Sequence, residues 1–291
     1  MKALITGSGG FIGKHLSDRL NAQGFQVIGL KRELFSDFNL LNESMQEIKP
    51  DYIFHLAAYG NHSTQTDEDM TFSANVIYTY LLLRATANLK YKAFINFGSS
   101  SEYGKKATSM HEDDILEPIT LYGATKGAST LIARYFALKY NKPIATVRPF
   151  SVYGEGEADF RFIPTVIRSL NNGTVMDLAG EPKHDWIYIQ DFLDGVSTVV
   201  NRIEQVKGEA VNIGTGVQYS NFDVVKELER ISGKNLKLDV FGDKMARPYD
   251  TTNWVANINT LKSFGWKPRF TLSSGLKRVY DYQSQPKTKN T

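Results

Sequence analysis

The sequence contains no cysteine, which excludes disulfide bonds, thiolate metal sites and a cysteine nucleophile. No apolar run reaches the ~18 residues typical of a membrane span, and no signal peptide precedes the first apolar strand. An excess of one charge is also missing, because 34 basic and 31 acidic residues are interspersed and leave a net charge of +3. This balance argues against a nucleic-acid surface and is compatible with small anionic ligands. We therefore expect a cytoplasmic protein with no membrane and no nucleic-acid partner.

The first half of the chain alternates short apolar segments with amphipathic ones. With 42% hydrophobic residues in 291, the chain can bury a large core. The predicted strands are Lys2–Thr6, Gln26–Leu30, Tyr52–Leu56, Ala93–Phe97 and Pro143–Arg148, and the predicted helices are Gly13–Gln23, Ser44–Ile48, Ser73–Ala87 and Tyr122–Tyr140. Nearly continuous apolar strands between helices predict an α/β fold with a doubly wound parallel sheet covered on both faces. In such sheets ligands bind at the carboxyl ends of the strands.

After Pro149 the pattern becomes mixed. We predict helices at Phe160–Asn171 and Asn221–Ser232 and from Leu272 onward, with strands at Trp186–Ile189 and Ala210–Ile213. This pattern predicts a smaller lobe interleaved with the sheet domain. The sheet domain would span residues 1–152 plus about 185–215, and the lobe 153–184 and about 216–291.

A glycine-rich turn, Gly7-Ser-Gly-Gly10-Phe-Ile-Gly13, joins the first strand to the first helix. Glycines let the backbone approach a pyrophosphate closely, and the N–H groups at the helix N-terminus attract its negative charge. The turn therefore predicts a bound dinucleotide.

Two further segments contain groups suited to proton transfer. In Tyr122-Gly-Ala-Thr-Lys126 the two side chains share a helix face, and an ammonium group beside a phenol lowers the pKa of the phenol. Such a tyrosine can exchange a proton with a substrate oxygen. The serine turn Gly98-Ser-Ser-Ser-Glu-Tyr-Gly104 follows a predicted strand, so a serine hydroxyl there can polarise a carbonyl at the carboxyl end of the sheet.

These three elements, in this order, resemble the extended short-chain dehydrogenase/reductase family, in its NAD-dependent epimerase/dehydratase (nucleotide-sugar) branch. The likeness runs from about Lys2 to about Leu276. Further segments that are similar to those of the family are His55-Leu-Ala-Ala58, Asn75, Arg148–Gly154, His184–Asp191 and Phe264–Pro268. The resemblance implies a Rossmann-type nucleotide domain and a small lobe that grips a nucleotide-diphosphate sugar.

The resemblance also implies roles for individual residues. Tyr122 would be the acid/base, Lys126 would hold the nicotinamide ribose and tune Tyr122, and Ser99 would polarise the carbonyl, with Ser100 as the alternative in a shifted register. The implied cofactor contacts are Gly7, Gly10, Phe11, Ile12, Gly13, Lys31, Arg32, Asn39, Leu40, Leu56, Ala57, Ala58, Asn75, Tyr122, Lys126, Pro149 and Val152. The implied substrate contacts are Ser100, Ser101, Ser151, Phe162, Trp186 and Arg247, and no metal is expected.

Departures from the family pattern favour particular activities. Leu30 is followed by Lys31 and Arg32 where an NAD enzyme has a carboxylate, so we predict NADP(H) rather than NAD. Ser100 and Ser101 occupy the positions of the dehydratase acid pair, and Glu102 is out of register, which disfavours dehydration.

The main prediction is therefore NADPH-dependent reduction of a nucleotide-linked 4-keto-6-deoxy sugar. The alternatives are an NAD-retaining nucleotide-sugar 4-epimerase and a non-catalytic NADP(H)-sensing module. The resemblance also implies a homodimer formed through a four-helix bundle of Ser73–Ala87 and Tyr122–Tyr140.

Overall fold

A computed structural model describes residues 1–62, 64–240 and 250–285. Its centre is a six-stranded sheet in which every neighbouring pair is parallel. The strands of this sheet are β1 (Lys2–Thr6), β2 (Gln26–Leu30), β3 (Tyr52–His55), β4 (Ala93–Phe97), β5 (Ile144–Pro149) and β10 (Ala210–Ile213). Their spatial order is β10-β5-β4-β3-β1-β2.

Ten α-helices accompany the strands in the described part of the chain. They are α1 (Phe11–Ala22), α2 (Phe38–Ile48), α3 (Glu68–Phe72), α4 (Tyr78–Thr86), α5 (Leu121–Lys139), α6 (Phe162–Asn172), α7 (Ile189–Asn201), α8 (Asn221–Ser232), α9 (Asn259–Ser263) and α10 (Leu272–Ser284). A π-helical turn, Ser73–Ile77, joins α3 to α4.

The sheet is covered on both faces because successive side chains of each strand point in opposite directions. Ala3 and Ile5 of β1 pack into a core with α1 and α7, whereas Leu4 packs on the other side with α2, α4 and α5. This arrangement confirms the predicted α/β doubly wound parallel sheet.

Helices α6, α8 and α10, which fall within the predicted smaller lobe, contact one another. Two pairs of short strands accompany these helices: β7 (Val175–Leu178) pairs with β12 (Lys237–Val240), and β8 (Lys183–His184) with β11 (Tyr219–Ser220). A third pair, β6 (Ser151–Tyr153) with β9 (Trp186–Tyr188), falls at the predicted boundary between the lobe and the sheet domain. In the described part of the chain, no helix combines the length and apolarity needed to cross a bilayer.

Most predicted elements lie within one or two residues of their observed bounds, and the exceptions have local causes. Helix α2 begins at Phe38 rather than Ser44 because the Asp37 side chain accepts a hydrogen bond from the N–H of Asn39. Asp67 caps α3 in the same way, so the helical segment predicted from Ser73 starts earlier. The predicted elements do not include α7, α9 and the short strands β6, β7, β8, β11 and β12.

Candidate active site

The chain order of the sheet reverses at β1, since β2 lies on one side of it and β3 on the other. Such a reversal opens a crevice at the carboxyl ends of the strands. The turns after β1 and β3 meet there so closely that a Cβ atom on Gly7 would lie 2.9 Å from the amide nitrogen of Ala57. Gly7 also has a φ of +70°, which side-chain-bearing residues rarely adopt.

The glycine turn forms a cradle at the start of α1. Gly10 donates its N–H to the Gly7 carbonyl at 3.0 Å, and among the described residues no side chain caps the helix. A Cβ atom on Gly13 would collide with the Gly7 oxygen and lie 2.8 Å from the Cα of Ser8. The close backbone approach and the uncapped helix N-terminus fit a pyrophosphate, at the residues predicted from the sequence.

A buried hydrogen-bonded chain ties the two crevice turns to α4. The Ala57 N–H donates to Thr6 Oγ1 (3.0 Å), which lies 2.8 Å from His55 Nδ1, and His55 Nε2 lies 2.9 Å from Thr79 Oγ1. Because the Thr79 hydroxyl donates to the Asn75 carbonyl (2.7 Å), His55 must donate through Nε2 and accept at Nδ1. Burial, and secondarily the Lys126 charge, lower the pKa of His55 to about 3, so it is neutral.

Asn75 links the crevice to α5 from its place on the π-helical turn. Its amide donates to the Tyr59 carbonyl and to Thr125 Oγ1, both at 2.9 Å, and its Oδ1 accepts from the Tyr59 N–H at 3.0 Å. These bonds hold α5 against the turn that contains Leu56, Ala57 and Ala58.

Ser99 and Tyr122 meet at the carboxyl end of β4. Ser99 caps the short 3₁₀ turn Ser100–Glu102, and its Oγ accepts from the Ser101 N–H at 3.1 Å. Tyr122 lies in the first turn of α5, where it is half-buried. Side-chain hydrogen bonding from Ser99 and Asn61 acts on the Tyr122 hydroxyl. Ser100 instead accepts from the indole N–H of Trp254 at 3.1 Å, which supports Ser99 as the reacting hydroxyl.

The expected lowering of the Tyr122 pKa by Lys126 is wrong for this structure. Burial raises the pKa of Tyr122, and the hydrogen bonds from Ser99 and Asn61 and the Arg161 charge oppose that rise. The cause is desolvation of the phenolate, which outweighs the favourable contacts.

Lys126 is 1% exposed, and burial lowers its pKa to about 8 while the Glu102 charge opposes the shift. Among the described residues, none accepts a hydrogen bond from its Nζ. A buried ammonium needs acceptor oxygens, and ribose hydroxyls supply them, so Lys126 fits the predicted role at a nicotinamide ribose.

The opposite end of the crevice is open. Lys31 and Arg32 are exposed beyond the last residue of β2, the edge strand, and the Arg32 guanidinium contacts Met70 Sδ. Asn39 and Leu40 are exposed in the first turn of α2. The structure therefore packs the glycine turn against the turn after β3 and brings Ser99 to Tyr122, whereas these outer residues are exposed.

The predicted substrate residues have mixed placements. The N–H of Ser151, in β6, donates to the Asp185 carbonyl at 3.0 Å. Phe162 stacks on Trp186 with ring centroids 5.9 Å apart, and Trp186 is only 9% exposed, so this pair packs in the protein interior. Ser101 is half-buried, as are Pro149 and Val152 beside the crevice, and Arg247 lies outside the described residues.

Sequence reasoning treated Glu102 only as an acid out of register and did not predict its partners, and it missed Asn61 and Arg161. Glu102 is fully buried beneath Ser99 and forms an ion pair with Arg148 (2.8 Å). Arg161, before α6, donates to Asn61 Oδ1 above Tyr122. For Glu102, the sequence signal was an acidic residue in an otherwise uncharged turn after an apolar strand. For Asn61 and Arg161, which lie in loops, no sequence pattern indicated a place at the site.

Comparison with known proteins agrees with this geometry. The family model described as "NAD dependent epimerase/dehydratase family" matches residues 3–214. The Bacillus subtilis (strain 168) protein named "Uncharacterized UDP-glucose epimerase YtcB" is 30% identical in an alignment 314 positions long that covers 98% of each chain. CDP-abequose synthase of Salmonella typhimurium is 27% identical over 95% of this chain and 96% of its own.

A solved structure has the same fold along nearly its whole length. The UDP-glucuronic acid 4-epimerase of Bacillus cereus, in complex with UDP-glucuronic acid and NAD, is 27% identical. The two chains superpose with a TM-score of 0.86 over 97% of this chain and 98% of that one. The chain is an enzyme that belongs to the NAD-dependent epimerase/dehydratase family, the nucleotide-sugar branch of the extended short-chain dehydrogenases/reductases.

Proposed function

We propose that this enzyme is a 4-epimerase of a nucleotide sugar, with a UDP-hexose as the first candidate substrate and NAD as the retained cofactor. The observation that carries the proposal is the position of Glu102. This acid of the serine turn is bound to Arg148, Thr130 and the N–H of Ser99, so it is not available to eliminate water. Chemistry then centres on Ser99 and Tyr122, which would act on one sugar oxygen, and on Lys126, which would hold the nicotinamide ribose. The similarity to a UDP-glucuronic acid 4-epimerase with bound NAD supports epimerisation over the reduction predicted from the sequence.

The chain's own residues supply the proton chemistry. When bound, a nicotinamide dinucleotide supplies a hydride acceptor and donor for carbon 4 of the sugar. Tyr122 would accept the proton of the 4-hydroxyl as the ketone forms and return it to the oxygen when the alcohol is restored. Because burial raises the pKa of Tyr122, this role requires positive charge beside it, from Lys126 and from a bound oxidised nicotinamide, to favour the phenolate. Ser99 donates a hydrogen bond to the same oxygen, and Lys126 holds the ribose beside Tyr122. One hydride and one proton leave and return, and the configuration at carbon 4 inverts because the hydride would return to the opposite face of the ketone, so the reaction consumes no reductant.

The test is to incubate the purified protein with UDP-glucose, UDP-galactose or UDP-glucuronic acid and to analyse the sugar by NMR. We expect the C4 epimer to form with no net change in the reduced cofactor. Absence of an epimer from all three sugars, with NAD supplied, would contradict the proposal.

A second candidate is NADPH-dependent reduction of a nucleotide-linked 4-keto-6-deoxy sugar. The exposed cations Lys31 and Arg32 favour it, because they suit a ribose 2′-phosphate. Oxidation of NADPH that depends on a dTDP-, CDP- or GDP-linked ketosugar would establish it. The presence of Ser99, Tyr122 and Lys126 argues against a sensing module without turnover.

We also propose that the lobe of residues 153–184 and about 216–291 holds the nucleotide sugar, and that the enzyme is a homodimer. Helix α5 exposes Leu131, Tyr135 and Leu138 at 60%, 52% and 59%, and α4 exposes Tyr80 at 41%. Large apolar side chains this exposed on neighbouring helices suit a helix-bundle interface. Light scattering at micromolar concentration should give the dimer mass, and a monomer alone would contradict it.

A further inference from the structure

Glu102 is a fully buried carboxylate that the proposed reaction does not use. Its Oε1 accepts from the N–H of Ser99 at 2.8 Å and its Oε2 from Arg148 Nε at 2.8 Å, while the Thr130 hydroxyl lies 3.0 Å from both oxygens. One carboxylate thus joins the serine turn, α5 and β5. Buried ion pairs rarely stabilise a fold more than apolar residues of similar size would, so this pair calls for another role.

Arg148 keeps the carboxylate in place. The arginine is 3% exposed and also donates to the Tyr103 hydroxyl at 2.7 Å and to the Glu112 carbonyl at 3.0 Å. Tyr103 in turn donates to Asn212 Oδ1 on β10 at 2.7 Å. Arg148, the partner of Glu102, is therefore itself held in place by Tyr103, which is bonded to β10, and by the loop that contains Glu112.

The contacts of Glu102 coincide with the catalytic face of α5. Tyr122, Lys126 and Thr130 are spaced four residues apart, so they lie along one face of the helix. Glu102 binds Thr130 at one end of this row of side chains, and it binds the backbone of Ser99 near Tyr122 at the other end. Gly98 is required for this arrangement, because a Cβ atom there would overlap Glu102 Oε1.

We propose that Glu102 is a positioning residue, whose carboxylate clamps Ser99 to the catalytic face of α5 and whose charge, balanced by Arg148, sets the electrostatic field at Lys126 and Tyr122. The proposal rests on the proposed roles of Ser99, Tyr122 and Lys126, and it holds for epimerisation and for reduction alike.

The charged and titratable groups around these side chains define the expected pH response. Glu102 faces Lys126 and Tyr122 from the serine turn, neutral His55 faces Lys126 from β3, and Arg161 acts on Tyr122 from the loop before α6. The Glu102 charge raises the pKa of Lys126 against the effect of burial. Removing that charge lowers the pKa of Lys126, whereas removing the Arg148 charge leaves Glu102 unbalanced and raises it.

The experiment compares Glu102→Gln, Arg148→Gln and the double variant. We expect the alkaline limb of the kcat–pH profile to move to lower pH by about 0.5–1 unit in Glu102→Gln and to higher pH in Arg148→Gln. In the double variant, which restores the charge balance, the limb returns toward the wild-type position. A purely structural role would lower activity in all three variants without opposite shifts.

If the Glu102→Gln and Arg148→Gln variants fold poorly, two further variants test the proposal. Glu102→Asp keeps the charge but shortens the clamp, and Thr130→Val removes one hydrogen bond without changing charge. Both should lower kcat several-fold with KM nearly unchanged and no shift of the alkaline limb.

A readout without turnover separates this proposal from the proposed function. NMR of ¹⁵N-lysine-labelled protein, with Lys126→Arg for assignment, follows the Lys126 titration directly. Opposite shifts of the Lys126 pKa in Glu102→Gln and Arg148→Gln would support the proposed electrostatic effect of Glu102 on Lys126, whether or not a sugar is turned over. A lack of turnover with these shifts present would count against the proposed reaction and not against this inference. A Lys126 titration that is unmoved, or that moves the same way in both variants, would overturn the inference.

Discussion

The two ends of the crevice are built differently. At the end that holds the proposed catalytic residues, Ser99 and Lys126 are buried, and the turns around them are held by Glu102, Asn75 and His55. At the outer end, Lys31 and Arg32 are exposed beyond the last residue of an edge strand.

This difference indicates which side chains of the site can be replaced without disturbing the fold. A buried, hydrogen-bonded catalytic group cannot change without disturbing its partners. An exposed cation at a strand end can change at little cost to stability. We infer that the reaction chemistry is fixed by the core, whereas cofactor choice depends on a few surface side chains. Substitutions at the two ends should therefore differ in size and kind.

The largest effect is expected for Tyr122→Phe. Loss of the hydroxyl removes the group that exchanges the proton, so kcat should fall by about 10²–10⁴-fold. Cofactor affinity, measured by calorimetry, should change little, because the phenyl ring keeps its packing. Retention of more than a tenth of the wild-type kcat would break the assignment of Tyr122 as the acid/base.

Gly13→Ala tests the cradle beside the catalytic end. The new methyl group would collide with the Gly7 carbonyl, so we expect cofactor affinity to fall at least ~100-fold, or the fold to be destabilised by a few kcal/mol. Gly9→Ala is the matched control, because a Cβ atom there meets no described atom within 4 Å. Equal effects of the two substitutions would contradict the close backbone approach.

The sequence predicted the parallel sheet and the main catalytic candidates because both depend on local spacing. The dinucleotide turn is recognised from glycines between a strand and a helix, and the catalytic pair is recognised from the spacing of Tyr122 and Lys126, which are one helical turn apart. The ion pair of Glu102 with Arg148 was not predictable, since it depends on how the serine turn sits against β5. The Tyr122 pKa was predicted in the wrong direction because burial, which spacing does not reveal, outweighs the nearby charges.

Lys31→Asp tests the outer end. It removes a cation suited to a 2′-phosphate and adds a carboxylate that can accept from a ribose 2′-hydroxyl, so the ratio of the Kd for NADP to that for NAD should rise about 10-fold or more. Lys90→Asp, an exposed site before the amino end of β4, is the charge-matched control. An unchanged ratio would show that Lys31 is only a surface charge.

A separate effect concerns stability rather than activity. His55 stays neutral in the folded protein down to pH about 3, whereas its pKa in the unfolded chain is the ordinary 6.5. Its contribution to stability is therefore present above pH 6.5 and is lost as the pH falls from 6.5 toward 3, by up to ~1.4 kcal/mol per pH unit.

His55→Gln can keep both hydrogen bonds and should flatten this part of the Tm–pH curve. His111→Gln, which changes an exposed histidine, should leave the curve unchanged. A slope that persists in His55→Gln would contradict the buried neutral histidine.

The most direct measurement follows a deuterium label at carbon 4 of UDP-glucose. If the enzyme removes and returns hydride at one carbon with Tyr122 moving the proton, NMR and mass spectrometry will show UDP-galactose that retains deuterium at carbon 4, with no net cofactor change. A 4-keto-6-deoxy product, or deuterium that accumulates in free reduced cofactor, would contradict the account.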